Sequence, residues 1–180
     1  MTLTGNFNCR YPEEIIVVEQ PGFSLHPKLA RLWGKRGTKS YVYTKSQHHE
    51  RLNLFGWVDP LNGFHGIMKW VRGNTDGFLK MLTKIVSRFK GLTIDLWADN
   101  ASWHKGARVR RFLTDNPNLN IHYLPPYNPE LNYQERLWHM LRYEETNSTY
   151  YETMVRLEVA VFARSQRWKP LKVRKVCQLT

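Results

Sequence analysis

Cysteine is almost missing from this chain: Cys9 and Cys177 are the only two among 180 residues, near opposite ends. They fit no metal-ligand or redox spacing and supply no disulfide framework, so a reducing cytoplasm is the expected setting. Long apolar runs are missing too. No stretch approaches the roughly 18 apolar residues of a helical membrane span, and no signal-like segment opens the chain, so no membrane role is expected. Internal repeats and low-complexity tracts do not occur. Acids are scarce, 15 Asp and Glu against 27 Lys and Arg, which leaves a formal charge of +12 and a pI near 9.9. Such an excess favours a polyanionic partner bound through salt-sensitive, largely sequence-blind phosphate contacts. Nucleic acid is the expected partner.

The length suits one domain with a sizeable core. The β-branched run at residues 15–18 is too short for a helix and reads as a buried strand ending at Glu19. Residues 20–27 are turn-rich. Further strands are expected over 40–46 and 51–58. After the turn residues Asp59, Pro60, Asn62 and Gly63, an extended segment over 64–71 makes a hairpin. Asn74 or Thr75 caps a helix in which Phe78, Leu79, Leu82, Ile85, Val86 and Phe89 recur at helical spacing, closed by Gly91. A strand over 93–98, a basic helix over 105–113, a strand over 119–124 and helices over 132–145 and 149–164 follow. Strands first, then alternating helices and strands, predict an α/β fold: a mixed sheet with helices on its faces. Residues 1–165 form the expected domain, and 166–180 a basic tail. Residues 164–176 carry six cations and no acid, which predicts a flexible DNA-binding arm ordered only on contact.

Two segments carry candidate chemistry: LTIDLWADNASWHKG (residues 92–106) and LPPYNPELNYQERLW (residues 124–138). Each delivers a carboxylate from a rigid element, Asp99 at a strand end and Glu135 at a helix start, 36 positions apart. Ligands of open α/β sheets gather beyond the carboxyl ends of strands. The competing explanation for Asp99-Asn100 is a plain turn. Glu135 lies on a stripe with Leu131, Trp138 and Arg142, where a carboxylate is costly unless paired or holding a cation. Its alternative is a capping box with Asn132. Two divalent ions about 3.5–4 Å apart need a third acid. Glu19 and Asp59 both end apolar strands, and Glu19 is preferred because Asp59 already belongs to a turn. Trp33, Trp103 and Trp138 read as packing residues.

These segments resemble the catalytic core of DDE-type transposases of the mariner superfamily, nearest its bacterial insertion-sequence branch. Residues 17–37, with their Gly-Phe, His-Pro, Trp and Gly landmarks, resemble the first-acid segment of that branch. The resemblance covers about residues 15–163. It implies a ribonuclease H-like mixed β-sheet flanked by α-helices. It also implies two Mg²⁺ or Mn²⁺ ions held by Glu19, Asp99 and Glu135, for DNA strand cleavage and strand transfer. Glu19 departs from the family's Asp, and Gln20 and Tyr133 also depart from its pattern. One extra methylene moves a carboxylate outward by about a bond length, and a misplacement near 1 Å costs about 10²-fold in rate.

His104 matches a histidine of the family and is expected to contact DNA. Lys105, Arg108 and Arg111, with Lys172, Arg174 and Lys175 of the tail, are expected to follow the DNA backbone. The resemblance implies transposon ends and target DNA as partners, and a homodimer on DNA. With the first strand near residue 14, the chain is expected to be a truncated form, one half of a split reading frame whose other half supplies helix-turn-helix reading of the ends, or a relic. Two other readings stay open: a catalytically silent DNA-binding descendant, and a ribonuclease H-like nuclease.

Overall fold

The β-branched run sits at the centre of a six-stranded sheet in the computed structural model, which describes residues 13–25, 35–37, 41–43, 50–125 and 131–177. Strand β1 (Glu13–Glu19) pairs antiparallel with β3 (Arg51–Val58) on one side and parallel with β5 (Thr93–Ala98) on the other. A short strand β2 (Gly22–Ser24) continues along β3 past a break at Gln20 and Pro21. Proline has no N–H to give a ladder, but its carbonyl still accepts from Leu54 N at 3.1 Å. Strand β4 (His65–Trp70) closes the hairpin with β3, and β6 (Leu119–Tyr123) adds parallel to β5. The result is a mixed sheet, parallel on one flank and antiparallel on the other.

Alternation along the strands divides the buried residues between two cores. Ile16, Val18, Phe55, Trp57, Ile94 and Leu96 face helix α1 (Thr75–Arg88) and helix α2 (Ala107–Asp115). Val17, Leu52, Leu54 and Val58 face helix α3 (Tyr133–Leu141), helix α4 (Met154–Gln166) and helix α5 (Pro170–Cys177). Helix α1 starts where expected. Asn74 Oδ1 accepts from Gly77 N at 2.9 Å and from Trp70 Nε1 at 3.1 Å. Among the described residues no helix is long and apolar enough to cross a membrane.

Several expectations change. Residues 41–43 are not in a strand, and Tyr41 and Tyr43 stand exposed with no sheet neighbour to pack on; the rest of 40–46 lies outside the described residues. The basic helix begins two residues late, after a 3₁₀ turn at Ser102–His104. The helix expected over 132–145 stops at Leu141 and widens into a π turn, Arg142–Thr146. The next helix starts at Met154, because Thr153 rather than Thr149 provides the cap: Thr153 Oγ1 accepts from Arg156 N at 3.3 Å. The largest correction concerns the tail. It is no arm awaiting contact, because residues 170–177 form α5 with Val173 and Cys177 buried in the α3 core. Counting cations overlooked the apolar residues that anchor them. Trp168 is buried alongside, its Nε1 donating to Glu144 at 2.9 Å.

Candidate active site

Strand register decides where the acids go. Val17 pairs with Trp97 across β1 and β5, so two residues further on Glu19 and Asp99 leave adjacent parallel strands on the same face. That face belongs to α3. Glu19 also pairs with Gly56 of β3, and α3 touches the sheet at this glycine. A Cβ at position 56 would lie 2.3 Å from Trp138 Cζ2 and 2.5 Å from Gln134 Nε2. The missing side chain lets the helix settle onto the strand and brings Glu135, next to Gln134, against Glu19. Asn132 caps this helix by accepting from Gln134 N at 3.2 Å. The carboxylate of Glu135 turns instead to Glu19 and to Arg142, whose Nη1 is 3.5 Å from Glu135 Oε1.

Burial at this sheet end shows in the acidity of Glu19. Glu19 is pushed up to about 8, first by burial, then by its hydrogen bond with Glu135 and the charges of Glu135 and Asp99; Arg142 opposes the shift. Asp99 moves the other way. A hydrogen bond from His104 lowers it against the effect of burial, helped by the charge of His104 and the N–H of Ala101, 3.2 Å from Asp99 Oδ1. The turn reading of Asp99 and its place among the acids therefore both hold.

His104 departs from its expected place. Its side chain is 6% exposed, with Nδ1 2.9 Å from Asp99 Oδ1 and 3.1 Å from the Asp99 carbonyl. Its ring lies 4.0 Å from that of Phe78, and its carbonyl accepts from Tyr123 Oη at 2.9 Å. It holds the carboxylate and is itself part of a cleft wall. Beside it, Asp99, Trp103, Gln20, Asn53 and Arg51 line a cleft of about 390 Å³. A neighbouring cleft of about 350 Å³, sharing Gly22 and Arg51 with the first, reaches Arg142.

Glu19, Asp99 and Glu135 are thus brought together, and the expected cations are spread out. Lys105 binds Asn100 Oδ1 and lies over the Tyr123 ring at 4.7 Å. Arg108 pairs with Asp76 at 2.7 Å, and Arg111 is exposed on α2. On α5, Lys172 pairs with Glu144, Arg174 is half-buried and Lys175 is exposed. Asp59 is wholly buried in its turn, where Oδ1 accepts from Leu61 N and Asn62 N, both at 2.9 Å. Its β3 neighbour Val58 pairs with Val17, well back from the end of β1. Sequence reasoning did not assign Arg142 or Gly56. Arg142 had a signal, since it lies two helical turns beyond Glu135; Gly56 had none, because its role is a distance between elements.

Among the described residues no three His, Cys, Asp or Glu side chains stand close enough to ligate one ion as they are placed. The donor set nevertheless suits a hard divalent cation: all oxygen, partly buried, with no donor among the described residues reaching Glu19 Oε2. A cation would offset the burial and the neighbouring carboxylates that raise the pKa of Glu19.

A protein from Shigella sonnei, the insertion element IS630 uncharacterized 39 kDa protein, is 29% identical over 137 residues, 74% of this chain and 39% of its own length. The catalytic domain of the Mos1 mariner transposase superposes with a TM-score of 0.63 at 12% identity, covering 93% of this chain and 77% of that one. The Mos1 mariner paired-end complex with Mn gives a TM-score of 0.68 at 12% identity, over 91% and 51%. These structural likenesses establish the fold, a ribonuclease H-like one. The chain spans well under half the length of the curated relative it matches. The family model described as DDE superfamily endonuclease matches residues 14–158, from the buried Glu14 of β1 into α4. That match takes in all three acids and the strands and helix that carry them, and the chain belongs to the DDE superfamily endonucleases.

Proposed function

We propose that this chain is the catalytic core of an insertion-element transposase, cleaving DNA strands and joining them to target DNA. One observation carries the reading: Glu19, Asp99 and Glu135 meet at one sheet end, where burial first, and then Glu135 and Asp99, push Glu19 up to about 8. In this reading the three carboxylates hold two Mg²⁺ or Mn²⁺ ions. When bound, the ions would activate water or a 3′-hydroxyl and offset charge building on the phosphate. His104 keeps Asp99 ionised and oriented, Gly56 sets the height of α3, and Arg142 balances Glu135. Lys105, Arg108 and Arg111 on one side, and Lys172, Arg174 and Lys175 on the other, are proposed contacts to DNA backbone.

The proposed partners are transposon ends and target DNA in a cytoplasmic setting, a second copy of the chain on DNA, and a separate helix-turn-helix half. A catalytically silent DNA-binding descendant is the second reading, favoured by the longer Glu19 carboxylate closed onto Glu135. Nicking of supercoiled plasmid with Mn²⁺, with Mg²⁺ and with chelator separates them. Metal-dependent nicking that Asp99→Ala abolishes supports the enzyme. DNA binding without nicking under any metal supports the silent descendant.

A further inference from the structure

We infer that the outer edge of β6 pairs with the same edge of a second copy of the chain, antiparallel about a two-fold axis at Ile121. The inference goes beyond the proposed function, because strand edges make this contact and no nucleic acid takes part in it.

Among the described residues β6 ends the sheet, with β5 on its one paired side. Two bonds fix which way its backbone points. Ile94 N donates to the Asn118 carbonyl at 2.8 Å, and Leu124 N to the Ala98 carbonyl at 2.9 Å. Alternate residues of a parallel ladder face the neighbouring strand, so Asn118, Asn120, His122 and Leu124 turn their backbone to β5. Ile121 and Tyr123 turn theirs outward, together with the Leu119 carbonyl; Leu119 N already donates to the Asn116 carbonyl at 3.0 Å. An open strand edge is a template for another strand unless charge or proline blunts it. The opposite edge strand is blunted: β4 carries an exposed Lys69, and Arg72 follows it. Strand β6, LNIHY, has no Lys, Arg, Asp, Glu or Pro. In a chain of formal charge +12, a neutral edge lets two copies meet without opposing like charges.

Register says why the occupant is a second copy. With Ile121 opposite Ile121 of that copy, the two residues exchange both N–H to carbonyl bonds, and each Tyr123 N–H reaches the other Leu119 carbonyl. Side chains alternate between the faces. On the α2 face, where Leu119 and Ile121 join the core, Leu119 meets Tyr123 and Ile121 meets its own image. On the other face Asn120 meets His122. Asp95 already orients both: its Oδ1 accepts from Asn120 Nδ2 at 3.3 Å and lies 2.8 Å from His122 Nε2. Apolar residues thus oppose apolar or aromatic ones, and polar oppose polar. The helices agree. Helix α2 returns the chain from the Asp99 end to the start of β6, so it runs antiparallel to β6. The two-fold therefore sets the end of α2, with exposed Asp115, alongside the start of the other α2, with exposed Lys105 and Arg110. Charges of opposite sign face each other there.

The test is sedimentation of the full chain without DNA. The wild type should show twice the monomer mass of 21.4 kDa, falling toward the monomer on dilution. Asn120→Lys, at an exposed position, copies the charge that β4 carries and should weaken the dimer by about tenfold or more. Disulfide trapping then reads the register. Asn120 and His122 of the second copy form a non-hydrogen-bonded pair with Cα atoms about 4.5 Å apart, within disulfide reach. Asn120→Cys/His122→Cys should give a covalent dimer on mild oxidation, and either single variant, whose new cysteines do not face each other, should give none. A wild type that stays monomeric at every concentration overturns the inference. So does a dimer that Asn120→Lys leaves intact, or one that the folded double variant fails to trap. The readout is mass alone, so failure here leaves the reading of the three acids standing.

Discussion

On the α1 face of the sheet, Ile16, Val18, Ile94 and Leu96 meet Phe78, Met81, Leu82 and Ile85 in an apolar layer. On the α3 face the same strands carry Val17, Leu54 and Val58, and that layer gives way near Gly56 to buried polar atoms. Glu19 Oε2, Gln134 Oε1 and Trp138 Nε1 are buried there without hydrogen-bond partners among the described residues. Each such atom costs about 1–3 kcal/mol. One face is therefore built for stability, whereas the other gives up some stability to bury charge, and under the proposed function that charge holds a cation.

The sharpest break in this comparison is Glu135→Gln. Nicking should fall on the order of 10²–10³-fold, while the melting temperature changes little because the amide oxygen still accepts from protonated Glu19; undiminished nicking would remove Glu135 from the site. Ile85→Ala on the opposite face should do the reverse. Chemical denaturation should show a loss of about 2–5 kcal/mol, with the nicking rate per folded molecule unchanged.

The acidity of Glu19 gives a pH test worth at most a few kcal/mol. Its proton is held to about 8 in the fold, against 4.5 in the unfolded chain. Its contribution to metal-free stability is therefore whole below pH 4.5 and is lost as pH rises through about 8. Glu19→Gln should flatten that decline, and denaturation curves at several pH values, wild type beside variant, check it. Gly56→Ala should cost about 1–3 kcal/mol by overpacking against Trp138 and Gln134, and should slow nicking beyond the loss of folded protein. If nicking per folded molecule is unaffected, the approach of α3 does not set Glu135. Lys172→Ala is the smallest change, within about 1 kcal/mol by thermal melting, because buried Val173 and Cys177 anchor α5. A larger loss would mean that the ion pair with Glu144 holds this helix.

Much of the site was legible before the fold. Asp99 ends an apolar strand and Glu135 follows a helix cap, so local pattern placed both at rigid ends. The choice of Glu19 over Asp59 followed from turn chemistry, and Asp59 does close its turn. His104 was visible as a residue but not in its role, because a histidine five positions past an acid says nothing of its burial against Phe78. The tail misled because charge was counted and apolar spacing was not: Trp168, Val173 and Cys177 are spread thinly among six cations.

By itself the sequence determined the positive charge, the order of strands and helices from residue 51 to residue 166, the alternation that splits the strands between two cores, and the three acids at element ends. Each of these is a short-range property of neighbouring residues. Tertiary structure alone decided the pairing of β1 with β5 that sets Glu19 beside Asp99, and the approach of α3 at Gly56 that brings in Glu135. It also decided the burial that turns His104 toward Asp99 and leaves Trp103 on the cleft wall. Those are distances between parts of the chain far apart in sequence, and the packing of whole elements sets them.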